Sequence, residues 1–458
     1  MIAMCYERLA MQVEGGHDLP WSHASDAEST CPLSLDNESL DALPKTQETN
    51  MKQSSLVMVL AAAALAACGG GGGDAVPVDN PHLVQQIAIS GVGAGTNYSY
   101  DIGAVSGSTY YYTDRNNLSV DAIDIPTLKQ TAQVVGSGAN VFAGLKASNG
   151  ISGPDGLNPI GTLLFAGDVN SVKVIDTATK QVIKTIVTGN EGVRSDEGCY
   201  DAVHGIYMIS APEAATPYAT FINAVSQTVV ATVTFTDSAG APSAGLENCR
   251  YDSASDTFFV NNDGTTANPH GELDALPGAA IRAIAIGATV NYTALAGVQK
   301  YSEGNCDPTG LALGPGTDIA VGCREGTTGA PLLVQIMNRS TGAIVTSINA
   351  GGGDQIEYDA GSNRYYNAGS RWTATGNAGV NGTCSAASPC TPVLAIIDAA
   401  TRTVVARVPT GNNAHSVAVD PASGQVFMPV SSASAPAGCS TCTANGFVNA
   451  GVAVFSIH

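Results

Sequence analysis

The chain has 458 residues, with 39 acidic against 19 basic side chains and a formal net charge of −20. So acidic a surface argues against nucleic acid and anionic lipid headgroups as partners and is compatible with cations. Glycine is abundant, at 52 residues, and Val, Ile, Thr and Tyr fall in short runs broken by Gly, Asn, Asp and Ser. With no sustained helical periodicity after residue 75, that pattern excludes a helical bundle and predicts an all-β chain.

Residues 1–50 carry Arg8 and Lys45 against nine acidic residues and match no repeat. They are expected to be an over-called, disordered extension, with Met51 as the true start. "MKQSSLVMVLAAAALAAC" follows, with Lys52 ahead of an apolar core from Leu56 to Ala67 too short to span a bilayer, so it reads as an export signal. Its closing Leu65-Ala66-Ala67-Cys68 resembles a bacterial lipobox. The resemblance implies removal of 51–67, lipidation of Cys68, and attachment to a membrane through that lipid. Gly69 after the cysteine resembles lipoproteins passed on to the outer membrane, and residues 68–81 then form a flexible tether.

Beyond Cys68 lie eight cysteines, an even count that suits disulfides in an oxidising compartment. Cys384–Cys390 and Cys439–Cys442 would staple loops, Cys199–Cys249 would tie neighbouring units, and Cys306–Cys323 would close within one. A zinc site from the last four has the residue types but not paired Cys-x2-Cys knuckles. Thr443 after Cys442 excludes covalent haem.

From residue 82 to 458 one phrase recurs. "DEGCYDAVHGIYMIS", "LENCRYDSASDTFFV", "DQIEYDAGSNRYYNA" and "HSVAVDPASGQVFMP" share a strand, a turn at Asp201, Asp252, Asp359 or Asp420, and a second strand. Ser106, Asn158 and Gly314 mark the same place in three further units, making seven. Each unit continues into a hairpin, as in "VKVIDTATKQVIKTIVTG" and "PVLAIIDAATRTVVARVPTG". Four antiparallel strands per unit, repeated radially, make a seven-bladed β-propeller. The last unit ends at "GVAVFSIH" one strand short, and "HLVQQIAIS" at 82–90 is the expected donor that closes the ring.

The hairpin phrase resembles the YVTN-type propeller repeat of exported bacterial and archaeal surface proteins, most strongly over 172–235 and 392–430. That resemblance implies the same fold, and its relatives include binding modules and lactonase-like enzymes. The first strand of a blade lines the central channel, so the residues near its start should meet at one mouth. These are Asp101, Gly153 (or Asp155), Asp196, Glu247, Thr309, Asp354 and His415, with Glu197, Asn248, Asn305, Asp307 and Gln355 beside them. Two carboxylates 4 Å apart repel by about 4 kcal/mol at an effective dielectric of about 20. Such a ring must be spread over water, partly protonated, paired with arginine or neutralised by a metal. Arg194 and Arg250 are the expected internal partners. Asp101, Asp196, Glu247, Asp354 and His415 are candidate ligands for a hard cation, Ca²⁺ or Mg²⁺.

Three functions follow, of which a redox accessory to a periplasmic dehydrogenase ranks last because nothing in the sequence ligates haem or a flavin. A monomeric binding or scaffolding module would hold a protein or small molecule at the mouth, through Asn248, Asn305, Thr309, Gln355, Arg194 and Arg250. Gly/Ala/Ser/Pro-rich insertions at 211–218, 261–278, 370–391 and 431–447 would serve as recognition loops. A metal-dependent, lactonase-like hydrolase or lyase would instead use His415 or Glu197 as general base.

Overall fold

The computed structural model describes residues 80–93, 96–324, 332–374, 376, 390–431, 447 and 449–457. The extension, the signal, Cys68, Cys384, Cys439 and Cys442 lie outside the described residues.

Turn chemistry sets the strands. The carboxylates of Asp201, Asp252, Asp359 and Asp420 each accept a backbone N–H from the residue two positions on. Four positions on, Gly205, Asp256, Asn363 and Gly424 take a positive φ. The outer hairpins repeat this device: after Asp124, Asp176, Asn223, Asn338 and Asp398 come Leu128, Lys180, Gln227, Gly342 and Arg402, all with positive φ. Asx capping and one left-handed residue turn the chain back, which is why Asp and Asn recur at these marks. A register shift two strand residues before each of those five outer turns adds twist to the hairpin.

Seven sheets result, one per repeat. Blades I to VII begin with the inner strands Tyr100–Ser106, Leu157–Ile160, Gly198–Asp201, Leu246–Asp252, Pro308–Leu313, Ile356–Asp359 and Ala418–Asp420. The ring closes as expected: His82–Ile87 pairs antiparallel with Gly451–Ser456, from His82 opposite Ser456 to Ile87 opposite Val452. Alternate residues of each strand face opposite neighbours, so Tyr110 and Tyr112 pack toward blade VII while Tyr111 packs toward blade II. Among the described residues one apolar cluster fills each of the seven contacts between adjacent blades. Circular stacking of this kind gathers residues from the whole chain around one axis.

Blades III and IV depart from the repeat. Residues 261–278, expected as a recognition loop, contain the third strand of blade IV, Glu272–Pro277, whose side chains are almost all buried. Its outermost strand, Gln299–Ser302, comes only after an insertion. That insertion holds a short helix, Gly278–Arg282, and a strand, Ala288–Asn291, which joins blade III in parallel beside Thr228–Thr234. Cys199–Cys249 links the inner strands of the same two blades, and Cys306–Cys323 closes within blade V, both as expected. Cys390 is disulfide-bonded, which removes it from any four-thiolate zinc site; its partner lies outside the described residues.

Candidate functional site

Because first and second strands of a blade are antiparallel, the first begins where the second ends: Tyr100 lies opposite Asp114, Leu246 opposite Asn262, and Pro308 opposite Cys323. Both ends therefore arrive at one mouth. Glycine lets the next blade's head pack there, since a Cβ on Gly322 would lie 2.1 Å from the Gly353 carbonyl oxygen. The mouth is a cavity of about 540 Å³ that gathers Asp101, Asp196, Glu197, Glu247, Thr309, Asp354 and His415. Arg115, Arg194, Arg324 and Arg371 line it too. Carboxylates come from the starts of inner strands, while Arg115 and Arg324 directly follow the second strands Thr109–Asp114 and Asp318–Cys323.

The ring is therefore neutralised mainly from within. Arg115 Nη2 lies 2.7 Å from Asp101 Oδ2 and also bonds Asp155, while its Nε donates to Asp155 Oδ1 at 3.0 Å. Arg194 Nη2 meets Asp196 Oδ2 at 2.7 Å, and its Nε meets Glu213 at 3.0 Å. Asp155, expected as the second blade's contribution to open space, is instead fully buried beneath Arg115. Burial opposes ionisation of Asp101, yet Arg115, then His415 and Arg194, hold it below the ordinary carboxylate range. Burial pushes Asp155 up to about 8 against the pull of the same two arginines, so the cluster retains a proton near neutral pH.

Asp101, Asp155 and Asp196 bring oxygens within 4.8 Å of one another, a spacing that a divalent cation uses. Two guanidiniums already occupy that charge role, so the three carboxylates do not fit a resident ion as they stand.

His415 arrives from blade VII. Its ring stacks on Tyr100 with centroids 4.7 Å apart, Nδ1 donates to the Asn413 carbonyl at 2.7 Å, and Nε2 lies 3.6 Å from Asp101 Oδ1. Burial disfavours the imidazolium, but the Asp101 contact and the Asp354 charge outweigh it and raise the histidine above its ordinary value. With Nδ1 committed to the Asn413 carbonyl and the ring favoured in its protonated form, His415 is poorly suited to the general-base role expected for it.

Glu197 lines both this cavity and a second one of about 380 Å³ further down the axis. Its Oε2 is buried without a partner. Burial, then the charges of Glu247, Asp354 and Asp101, raise it well above the ordinary range. Glu197 is thus a neutral acid in the floor, able to donate a hydrogen bond rather than take a proton. Glu247 is raised likewise, by burial first, and its partner is Arg324 at 3.4 Å rather than Arg250.

Several expected site residues stand elsewhere. Arg250, Asn248 and Gln355 line the lower cavity. Arg250 bonds the Asn248 side chain and, at 2.8 Å, the Cys249 carbonyl. Gln355 accepts from Ser416 Oγ at 2.7 Å. Asn305 is exposed and lines neither cavity. Thr309 stays at the mouth, where its hydroxyl donates to the Gly353 carbonyl at 2.7 Å. Arg371 lines the cavity, while the ring of the adjacent Trp372 packs beneath the Arg407 guanidinium at 5.2 Å.

No family model and no curated protein matches the chain. Among solved structures it is similar to a chain of Kuenenia stuttgartiensis hydrazine synthase, at 17% identity and a TM-score of 0.53, covering 75% of this chain and 96% of that one. It is also similar to U3-55K, at 9% identity and a TM-score of 0.52, covering 83% of this chain and 99% of that one. At such identities the likeness shows the propeller fold alone.

Proposed function

We propose that this chain is an exported, lipid-anchored propeller of the YVTN type that works as a binding module, with its ligand seated in the charged mouth. One observation carries the reading: a cavity of about 540 Å³ lined by charged groups from six blades and floored by an acid with an unpartnered oxygen. That volume is typical of small-molecule sites, and convergent polar groups on a rigid frame are what such sites require. The hydrolase reading draws less support, because His415 Nδ1 is committed to the Asn413 carbonyl, Asp101 favours its protonated ring, and burial raises Glu197 well above the ordinary carboxylate range.

The test is a thermal-shift screen of the intact chain against a small-molecule library, repeated on Asn149→Trp. Asn149 is exposed and lines the rim, so the indole obstructs entry without disturbing the core. Ligands that stabilise the native chain should lose their effect in the variant. Equal stabilisation of both, or none of either, would place the binding surface elsewhere. Mass spectrometry of the native protein tests the anchor, with a diacylated peptide beginning at Cys68 expected and unmodified peptides spanning residues 60–75 contradicting it.

A further inference from the structure

The charge pattern of the mouth identifies the class of ligand, on the reading that the mouth is the binding site. Most of its ions are engaged within the ring. Arg115 is directed at Asp101, Asp155 and the Tyr100 carbonyl, and Arg194 is held by Asp196 and Glu213. Two opposite charges nevertheless face the cavity with little to bind. The Arg324 side chain is 43% exposed, and its one side-chain contact among the described residues is the long 3.4 Å approach to Glu247 Oε1. Asp354 is half-buried, and its carboxylate forms no hydrogen bond or ion pair among the described residues. Below them lies Glu197, with Oε2 buried and unpartnered.

Each simpler ligand satisfies this pair less completely than a ligand carrying both charges. A bare cation that satisfied Asp354 would meet Arg324 in the same cavity. A bare anion that satisfied Arg324 would meet Asp354. A neutral sugar would hydrogen-bond both ions through its hydroxyls but would cancel neither charge, which compensates their desolvation less fully than an opposite charge does. We propose that the mouth takes a small zwitterion of the amino-acid or short-peptide class, its carboxylate on Arg324 and its ammonium on Asp354. A guanidinium presents a planar fork of N–H donors to a carboxylate, and a carboxylate accepts from an ammonium, so both contacts are charge-assisted hydrogen bonds. The Glu197 carboxyl then meets the middle of the ligand from below.

The experiment is calorimetric titration of the intact chain with four probes: alanine, alanyl-alanine, N-acetylalanine and alanine amide. The unblocked probes should bind, and blocking either end should weaken binding by roughly tenfold or more, the effect of one lost charge-assisted bond. Asp354→Asn should erase the penalty for acetylation while keeping that for amidation, and Arg324→Gln should do the reverse. This exchange of selectivity is a ratio within one protein, so a partial loss of folded material cannot imitate it. Failure of the unblocked probes to bind, or equal binding of blocked and unblocked probes, overturns the zwitterion. If the probes bind with full selectivity to both variants and to Asn149→Trp, the mouth itself is the wrong site.

Discussion

Two groups of buried carboxylates in this molecule differ in whether cations share the neutralisation with protons. At the mouth, Asp101, Asp155 and Asp196 lie against the guanidiniums of Arg115 and Arg194, which hold Asp101 below the ordinary range against burial, while burial still raises Asp155 and Asp196. Around the third strand of blade IV, Glu272, Asp274 and Glu303 are equally buried, yet none forms an ion pair with a described residue. Asp274 accepts from Asn262 at 2.9 Å, Glu272 from Tyr292 at 3.1 Å, and neither oxygen of Glu303 has a partner. Burial pushes Asp274 and Glu303 well above the ordinary range, so these two are kept neutral by protons. A cation partner keeps Asp101 charged at the mouth. A bound proton removes the charge and leaves only a pH-dependent contribution to stability.

The largest effect that would break this contrast is removal of a guanidinium. Arg115→Met leaves two buried carboxylates short of their main partner and should destabilise the fold by about 3–5 kcal/mol, measured by denaturant unfolding. A loss below about 1 kcal/mol would mean that the pairing is no more than a surface bridge.

The next effect is one of pH. A carboxyl raised in the folded state contributes stability that is fully present below its unfolded value and lost as pH climbs toward its folded value. Glu303 and Asp274 act in this direction, with Asp263 at about 6 and Asp121 and Glu357 at about 7, and at the mouth so do Asp155 at about 8, Asp196, Glu197 and Glu247. Asp101 acts oppositely, but its contribution is lost only as pH falls below the ordinary carboxylate range. Stability should therefore fall from pH 5 to pH 8. Glu303→Gln should reduce that slope by about 1.4 kcal/mol per pH unit while leaving stability at pH 5 within about 1 kcal/mol of the parent. An unchanged slope would show that Glu303 is ionised in the fold.

The smallest effect expected is that of chelation. With guanidiniums and protons neutralising the two groups, EDTA should shift the thermal midpoint by less than about 1 °C. A clear fall, reversed by Ca²⁺ or Mg²⁺, would show that an ion supports one of them.

Much of this was legible in the residues. Recurrent Asp and Asn marked the turns, the orphan segment at 82–90 matched the strand missing from the last blade, and one register placed Asp101, Asp196, Glu247, Asp354 and His415 at one mouth. Arg115 and Arg324 were overlooked because that register followed only the starts of first strands. Antiparallel pairing delivers the ends of second strands to the same rim, and an arginine just past a strand was the available signal. The outer hairpin of blade IV was hidden by "ELDALP", whose Glu272 and Asp274 read as solvent-facing while tertiary packing buries them. Nothing local in the sequence announces that Ala288–Asn291 crosses to blade III, since a parallel pairing is fixed by its distant partner.

The central claim is that circular stacking brings groups from opposite ends of the chain together at a charge-interleaved mouth. His415 beside Asp101 tests it most directly. Titration of His415 by NMR should give a value above that of free histidine, and Asp101→Asn should lower it. A His415 that titrates as in an unstructured peptide, and is indifferent to Asp101→Asn, would contradict the account.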